Sequence, residues 1–341
     1  MPIVPGPDLL TGQGNNGTSW IPKDLGPALK GEGVTPPTVC RMDDGEYLFY
    51  AGRSNGMHGE PEGGKSWVAI IAMAQELLAG RNACFIDYED NEVGIVERLR
   101  ALGVPDPLID SDQFDYIHPE EPLGAESQAL EDLCQILAAK TYSIIVVDST
   151  GEAMGMEGLD PIVNHDSNVF VNRLVRRCVA TGACVILIDH VAKGRETRGD
   201  WAIGAQHKRA MIRGASYVVA NKRPFGRGID GELWLTVAKD TPGHVRGRIP
   251  HGQPAARLCL SFDADTGHGS YHLDTLNTPG SDLLKRLEAY LRENPGAGKG
   301  RLRQLGNSDT VDKLVVQLIE EEVIQVRRVG KMHAHFWVDG P

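Results

Sequence analysis

Apolar and polar positions follow two rhythms along this chain. Short apolar runs recur at 82–87, 114–117, 142–147 and 183–188, each closed by a polar break. Such runs read as buried strands. Between them, apolar residues return every three or four positions, the helical period. The pattern predicts a strand over 48–51, a helix from 67 to 78, and a strand over 82–87. A helix over 92–102 follows, with Val93, Val96, Leu99 and Leu102 inward. After the strand at 114–117 comes a helix over 126–140, with Leu130, Leu133, Ile136 and Leu137 on one stripe. A strand over 142–147, a helix over 165–180, a strand over 183–188, a helix over 205–214 and a strand over 216–220 complete the alternation. Runs at 232–238 and 256–262 are expected as late antiparallel strands. Strand–helix alternation of this kind implies an α/β fold, a mostly parallel sheet with helices on both faces.

The rhythm is missing at either end of that region. Residues 1–45 are rich in Gly and Pro and show little periodicity. They form either an extended arm, packed on the core or on a neighbouring subunit, or a disordered tail. The core spans 46–275, and the pattern breaks near Asn277, Pro279 and Gly280. Residues 281–341 then predict three helices (283–292, 299–305 and 308–322) and a hairpin over 323–338. Leu314, Val315, Leu318 and Ile319 face inward on the third helix. Three helices followed by a hairpin is the winged-helix order.

The core opens on Gly59, Glu60, Pro61, Glu62, Gly63, Gly64, Lys65 and Ser66, which fit the P-loop pattern G-x-x-x-x-G-K-[ST]. The glycines let backbone N–H groups approach phosphate oxygens. Lys65 supplies a positive charge for the β- and γ-phosphates, and Ser66 a hydroxyl for Mg²⁺. The helix starting at Trp67 directs its N-terminal dipole at the same anion. Residues 59–67 are thus the candidate nucleotide contacts, with ATP and Mg²⁺ the expected ligands. The charges of Glu60 and Glu62 sit oddly beside a triphosphate unless both side chains point away.

Three strand ends carry further chemistry. Asp148 closes an apolar strand and can hold Mg²⁺ together with Ser66. Ser149 and Thr150 follow within reach of a γ-phosphate. Glu89 ends the strand after the P-loop helix, where a carboxylate can activate water; alternatively Asp87, Glu89 and Asp90 merely cap the next helix, with Asp90 the expected capping residue. His190 ends the strand over 183–188 and either senses the γ-phosphate or is a satisfied strand-end histidine. Beyond it, Lys193, Arg195, Arg198, Lys208 and Arg209 concentrate positive charge in one stretch. That stretch suits a nucleic-acid backbone, or it is a solvated loop. Trp201 in the same loop is a stacking platform or a core residue.

In this order the motifs resemble the RecA-like ATPases of the RepA/DnaB hexameric helicase and phage recombination ATPase group, over about residues 46–265. The resemblance implies ATP bound between subunits of a ring or filament. Glu89 would be the catalytic glutamate and His190 the sensor, and the loops after Asp148 and His190 would face single-stranded DNA. It also implies a Lys-x-Arg pair reaching a neighbour's site. Lys239 fits the lysine, but Thr241 stands where the arginine is expected. Arg223, Arg227 and Arg246 are the substitutes, Arg227 among the candidate catalytic residues.

Charge narrows the picture. The net charge of −11 excludes a uniformly basic surface, so any nucleic-acid contact is local. The stretch 281–341 has ten basic against nine acidic side chains. Arg301 and Arg303 fall on its second helix, Arg327 and Arg328 on the wing. These four make the module a candidate for duplex DNA, with protein docking the other use of such a fold. The six cysteines are scattered, no signal-peptide pattern opens the chain, and no apolar run approaches a membrane span. A cytoplasmic protein with reduced thiols is expected. The function expected from all this is an ATP-hydrolysing motor or recombination ATPase on single-stranded DNA. An ATP-switched DNA-binding regulator or loader is the alternative. A metabolic kinase fits less well, since no acceptor-substrate motif is visible.

Overall fold

The computed structural model describes residues 22–30, 35–190, 210–226, 229–249, 253–263, 266–275, 281–305, 308–320, 323–329 and 332–338. The chain divides into two compact units, Met1–Leu276 and Asn277–Pro341.

In the first unit a short helix α1 (Gly26–Leu29) precedes an antiparallel pair, β1 (Val39–Arg41) and β2 (Tyr47–Phe49). Then follow β3 (Ser54–Gly59), α2 (Lys65–Leu78), β4 (Asn82–Asp87), α3 (Glu92–Ala101), α4 (Asp106–Ile109) and β5 (Phe114–Ile117). Next come α5 (Gln128–Ala139), β6 (Tyr142–Asp148), α6 (Thr150–Met156) and α7 (Asn164–Phe170). A π turn over Val171–Val175 carries α7 on into a helix at Arg176–Ala180. The unit closes with β7 (Cys184–His190), β8 (Ala215–Arg223), β9 (Gly231–Asp240), β10 (Ala256–Phe262) and β11 (Gly269–Asp274). The nine-stranded sheet runs β11-β10-β9-β8-β3-β7-β6-β4-β5. From β8 to β5 all neighbours are parallel, and β9, β10 and β11 extend the sheet antiparallel. The late antiparallel strands are where the sequence places them.

Both faces of the sheet are covered. On β6, Ile144 and Val146 face one core, shared with α2, while Ile145 and Val147 face the other, shared with α5 and α6. Strand β7 alternates likewise, Ile186 and Ile188 against Val185 and Leu187. A parallel strand buried on both faces needs an unbroken apolar run, which is why these two strands stand out in the sequence.

Three expectations need correction. The strand expected over 48–51 belongs to the β1–β2 pair, outside the main sheet. The strand that feeds the P-loop is instead Ser54–Gly59, all buried, with Met57 its one large apolar side chain. Polar groups hold it in place. Asn55 accepts from the N–H groups of Tyr50 and Ala215 (both 3.1 Å) and donates to Tyr50 O (2.9 Å). Ser54 Oγ donates to Met211 O at 2.6 Å. On α3, Val93 is 60% exposed, and the buried stripe is Ile95 and Leu99, continued by Leu102 beyond its end. That i, i+4, i+7 spacing places Val93 on the outer face. The cap of α3 is Asn91, whose side chain accepts from Val93 N (3.0 Å); Asp90 makes a long ion pair with Arg98 (3.7 Å). Of the helix expected over 205–214, residues 205–209 lie outside the described residues.

The second unit holds helices Ser281–Glu293, Lys299–Leu302 and Ser308–Glu320, the second extended by a 3₁₀ turn, Arg303–Leu305. Its sheet runs β12 (Ala297–Gly298), β14 (Met332–Trp337), β13 (Ile324–Val329), all antiparallel. Leu287, Leu291, Leu302, Val311, Val315, Leu318 and Ile324 form its core. The last helix turns the stripe Val311, Val315, Leu318 inward, leaving Leu314 half-buried and Ile319 37% exposed.

Candidate nucleotide-binding site

Strand β3 ends at Gly59 and α2 begins at Lys65, so the loop between them sits at the C-terminal edge of the parallel sheet. Sheet packing and loop geometry both demand glycine here. A Cβ on Gly59 would lie 2.4 Å from Val219 O on β8. Gly64, the N-cap of α2, has φ 84°, and a Cβ there would come within 2.8 Å of the Phe225 ring. Glu60, Pro61 and Glu62 are exposed, so the two carboxylates have solvent to occupy while the backbone remains for an anion.

Lys65 is buried, and its ammonium donates to Glu60 O (2.8 Å) and Gly59 O (3.2 Å). It also lies 3.2 Å from Nδ1 of His190. An ammonium has only donors, so Nδ1 is the acceptor and the imidazole proton is on Nε2. That Nε2 donates to Glu89 Oε1 at 2.6 Å. A single line of hydrogen bonds thus runs from the P-loop lysine through His190 to Glu89. Burial pulls the Lys65 pKa down, against the opposing pull of Asp148, Glu89 and Asp189. The hydrogen bond from His190 holds the Glu89 carboxyl below its usual range, and one from Ser149 adds to it. Glu89 is therefore an anion at neutral pH, with its side chain about a third exposed.

Ser66 Oγ donates to Asp148 Oδ2 at 2.6 Å. Burial pushes the Asp148 carboxyl up to about 6, with Glu89 and Asp87 adding to the rise and Ser66 opposing it. Its other oxygen, Oδ1, is buried without a hydrogen-bond partner. A buried carboxylate oxygen with a free lone pair suits a cation or its water. Ser66 and Asp148 therefore fit Mg²⁺, which supplies charge neutralisation for phosphate oxygens when bound. Both line a cleft of about 240 Å³, together with Asp87, Glu89, Asp90 and Arg98. The peptide joining Asp148 to Ser149 is cis. Ser149 caps α6 through Glu152 N, and the Thr150 hydroxyl beside it is buried without a partner.

Asp87, expected at most as a cap of the next helix, instead shapes the site. Its Oδ1 accepts from the N–H groups of Glu89 and Asp90 (3.0 Å each), which turns the loop and aims Glu89 into the cleft. The signal was a carboxylate two residues before another, the spacing of an Asx turn.

Trp67 contacts Phe225 and Phe262 edge-on (centroids 6.1 and 5.2 Å), and Arg98 lies 6.0 Å from its ring. Its indole thus packs against side chains from the segment after β8 and from β10. These neighbours are over 150 positions away, apart from Arg98, and nothing local announces them.

Lys239 donates to Ile212 O at 2.5 Å. It pairs with Ser216 on β8, at the end of β9 away from the P-loop, and stands apart from the Lys65 cluster of its own chain. Arg223 and Arg246 are exposed, the latter donating from its backbone to Asp240. Arg227, Lys193, Arg195, Arg198, Lys208, Arg209 and Trp201 lie outside the described residues. In the second unit, Arg303 and Lys299 both pair with Asp312. Arg327 lies over the Phe336 ring at 5.2 Å, and Arg301 and Arg328 are exposed.

Residues 43–196 match a family model described as an AAA domain. The matched region holds Lys65, Ser66, Glu89, Asp148 and His190, so the chain contains a P-loop domain of ATPase type, with nucleotide binding as its general property. No curated protein matches the chain. Among the described residues, no helix is long and apolar enough to cross a membrane.

Proposed function

We propose that this chain is a RecA-like ATPase acting on single-stranded DNA as a motor or recombination ATPase, assembled as a ring or filament. The observation that carries the reading is the Lys65–His190–Glu89 line. Strand β7 lies between the P-loop strand β3 and the Asp148 strand β6. Its terminal imidazole therefore touches both the lysine that meets phosphate and the carboxylate suited to activate water. Residues 191–209, with five basic side chains, continue directly from that histidine. A change at the phosphate end of the line thus has a covalent route to a basic segment. In this scheme Ser66 and Asp148 hold Mg²⁺, Glu89 takes a proton from water, and Lys239, remote from its own P-loop, serves a neighbour's site.

The test is ATP turnover by the purified protein with and without single-stranded DNA. Slow basal turnover that rises several-fold with single-stranded DNA, and less with duplex, is expected. Turnover indifferent to DNA would sink the DNA-motor reading and leave a plain ATPase.

The regulator or loader alternative draws on the second unit, where three helices and a small antiparallel sheet follow the winged-helix order. Arg301 and Arg328 are exposed there. The last helix also exposes Val316 and Ile319, side chains that suit a protein partner better than a phosphate backbone.

A further inference from the structure

We propose that Tyr116 and His118, on and just beyond the edge strand β5, are positioning residues for ATP hydrolysis: they hold Asp87, and Asp87 holds the turn that presents Glu89. Neither belongs to a nucleotide-binding motif. Neither is among the described residues lining the cleft of Ser66, Glu89 and Asp148. The inference rests on Glu89 as the group that activates water, and it names what keeps that group in place.

Asp87 is buried, and both of its side-chain oxygens are occupied. Oδ1 accepts from the N–H groups of Glu89 and Asp90, while Oδ2 accepts from the Tyr116 hydroxyl at 3.1 Å. One oxygen shapes the turn and the other is tied to β5. A carboxylate swings easily about its last bond, and the second tie stops it from leaving the two amides. Burial and the neighbouring Asp87 push the Tyr116 hydroxyl well above its usual range, so it stays protonated and donates. His118 grips the same residue by its main chain. Its Nδ1 lies 2.9 Å from Asp87 O, and a carbonyl oxygen only accepts, so Nδ1 carries the proton.

An edge strand has a single neighbour in its sheet, yet this one is firmly fixed. The Tyr116 ring lies parallel to Phe85, its partner across the β4–β5 ladder, with centroids 6.4 Å apart and planes at 10°. Asp115 accepts from Lys140 Nζ (3.0 Å) and from the Tyr142 hydroxyl on β6. Strand β5 is thus tied past β4 to the strand that carries Asp148. The support of Glu89 and the candidate metal ligand share one frame. The stakes are set by geometry: a displacement of about 1 Å at a reacting group costs roughly a hundredfold in rate.

The test measures kcat, KM and nucleotide affinity of the full chain with Mg·ATP. The variants are Tyr116→Phe, His118→Ala and His118→Asn, each alone and combined with Glu89→Gln. Tyr116→Phe keeps the ring and removes the hydroxyl. It is expected to lower kcat about five- to tenfold, with KM and calorimetric affinity unchanged. His118→Ala should lower kcat similarly, and His118→Asn, whose amide donates from near the Nδ1 position, should restore most of it. In the Glu89→Gln background neither Tyr116→Phe nor His118→Ala should reduce the residual turnover further, because the carboxylate they act through is gone. A kcat like wild type in Tyr116→Phe or in His118→Ala removes that residue from the role. Nucleotide affinity falling in step with kcat, or a further full loss in the Glu89→Gln background, marks a merely structural contact and overturns the proposal, while Glu89 keeps its place. Normal turnover by Glu89→Gln alone removes the water-activating reading, and this inference falls with it.

Discussion

His190 and Glu89 meet at 2.6 Å although they belong to strands that are not neighbours: β6 lies between β7 and β4. The contact arches over the end of the strand that carries Asp148. The imidazole thereby fixes where the carboxylate points and keeps it charged.

If the contact works in this way, His190→Ala frees Glu89. We expect kcat to fall by roughly one to two orders of magnitude, with KM for ATP changed only a few-fold. The acid limb of the kcat–pH profile should move up, because the depressed Glu89 pKa loses its main cause. His190→Gln has an acceptor and a donor at similar reach and should recover part of the rate. An unchanged pH profile in the alanine variant would remove His190 from this role.

Glu89→Gln keeps the size and loses the proton acceptor. We expect nucleotide binding by calorimetry to persist and turnover to fall by about 10²-fold or more. Normal turnover would show that another group activates water.

Asp148 predicts a pH-dependent stability. Its folded-state pKa lies above the unfolded value, 3.8 against about 6, so the folded state binds the proton more tightly. The stabilisation is full below 3.8 and is lost as pH rises through about 6. Asp148→Asn removes the buried charge and keeps a similar shape. With metal and nucleotide excluded, it should be more stable than wild type at pH 8 by up to about 3 kcal/mol. The advantage should vanish near pH 4, and the variant should lose Mg²⁺-dependent nucleotide affinity. Denaturant melts at the two pH values decide the matter.

Subunit mixing tests whether Lys239 serves a neighbour. Lys65→Ala and Lys239→Ala should each lack activity alone. Mixed, they should recover a fraction of it, since some interfaces then combine an intact P-loop with an intact lysine. No recovery, with mixed assemblies shown to form, would confine the site to one chain.

Asn55 should matter to folding rather than turnover. Asn55→Ala leaves buried backbone groups of Tyr50 and Ala215 without partners. We expect a loss of about 3 kcal/mol in urea unfolding. A loss near zero would mean that other groups anchor β3.

What the sequence reveals follows the physics of each element. Strands β6 and β7 are visible because burial on two faces forces continuous apolar runs, and Asp148 and His190 are visible as the polar residues that end them. The P-loop is visible because its glycines are obligatory. Strand β3 is hidden because Asn55 and Ser54, residues that usually mark turns, hold it through side-chain hydrogen bonds to distant backbone. The choice of Asn91 over Asp90 as the α3 cap depends on a backbone angle, not on residue type. Trp67 was legible as a neighbour of the P-loop, but its aromatic partners depend on where β8 and β10 settle.

The 2.4 Å that a Cβ on Gly59 would leave to Val219 O assigns the first glycine of the motif to the adjoining strand. That position is a fitting tolerance of the sheet before it is a feature of any ligand cradle. An alanine there would prise β8 from β3, so the lesion would surface as poor expression and rapid proteolysis, in molecules that never reach an activity assay.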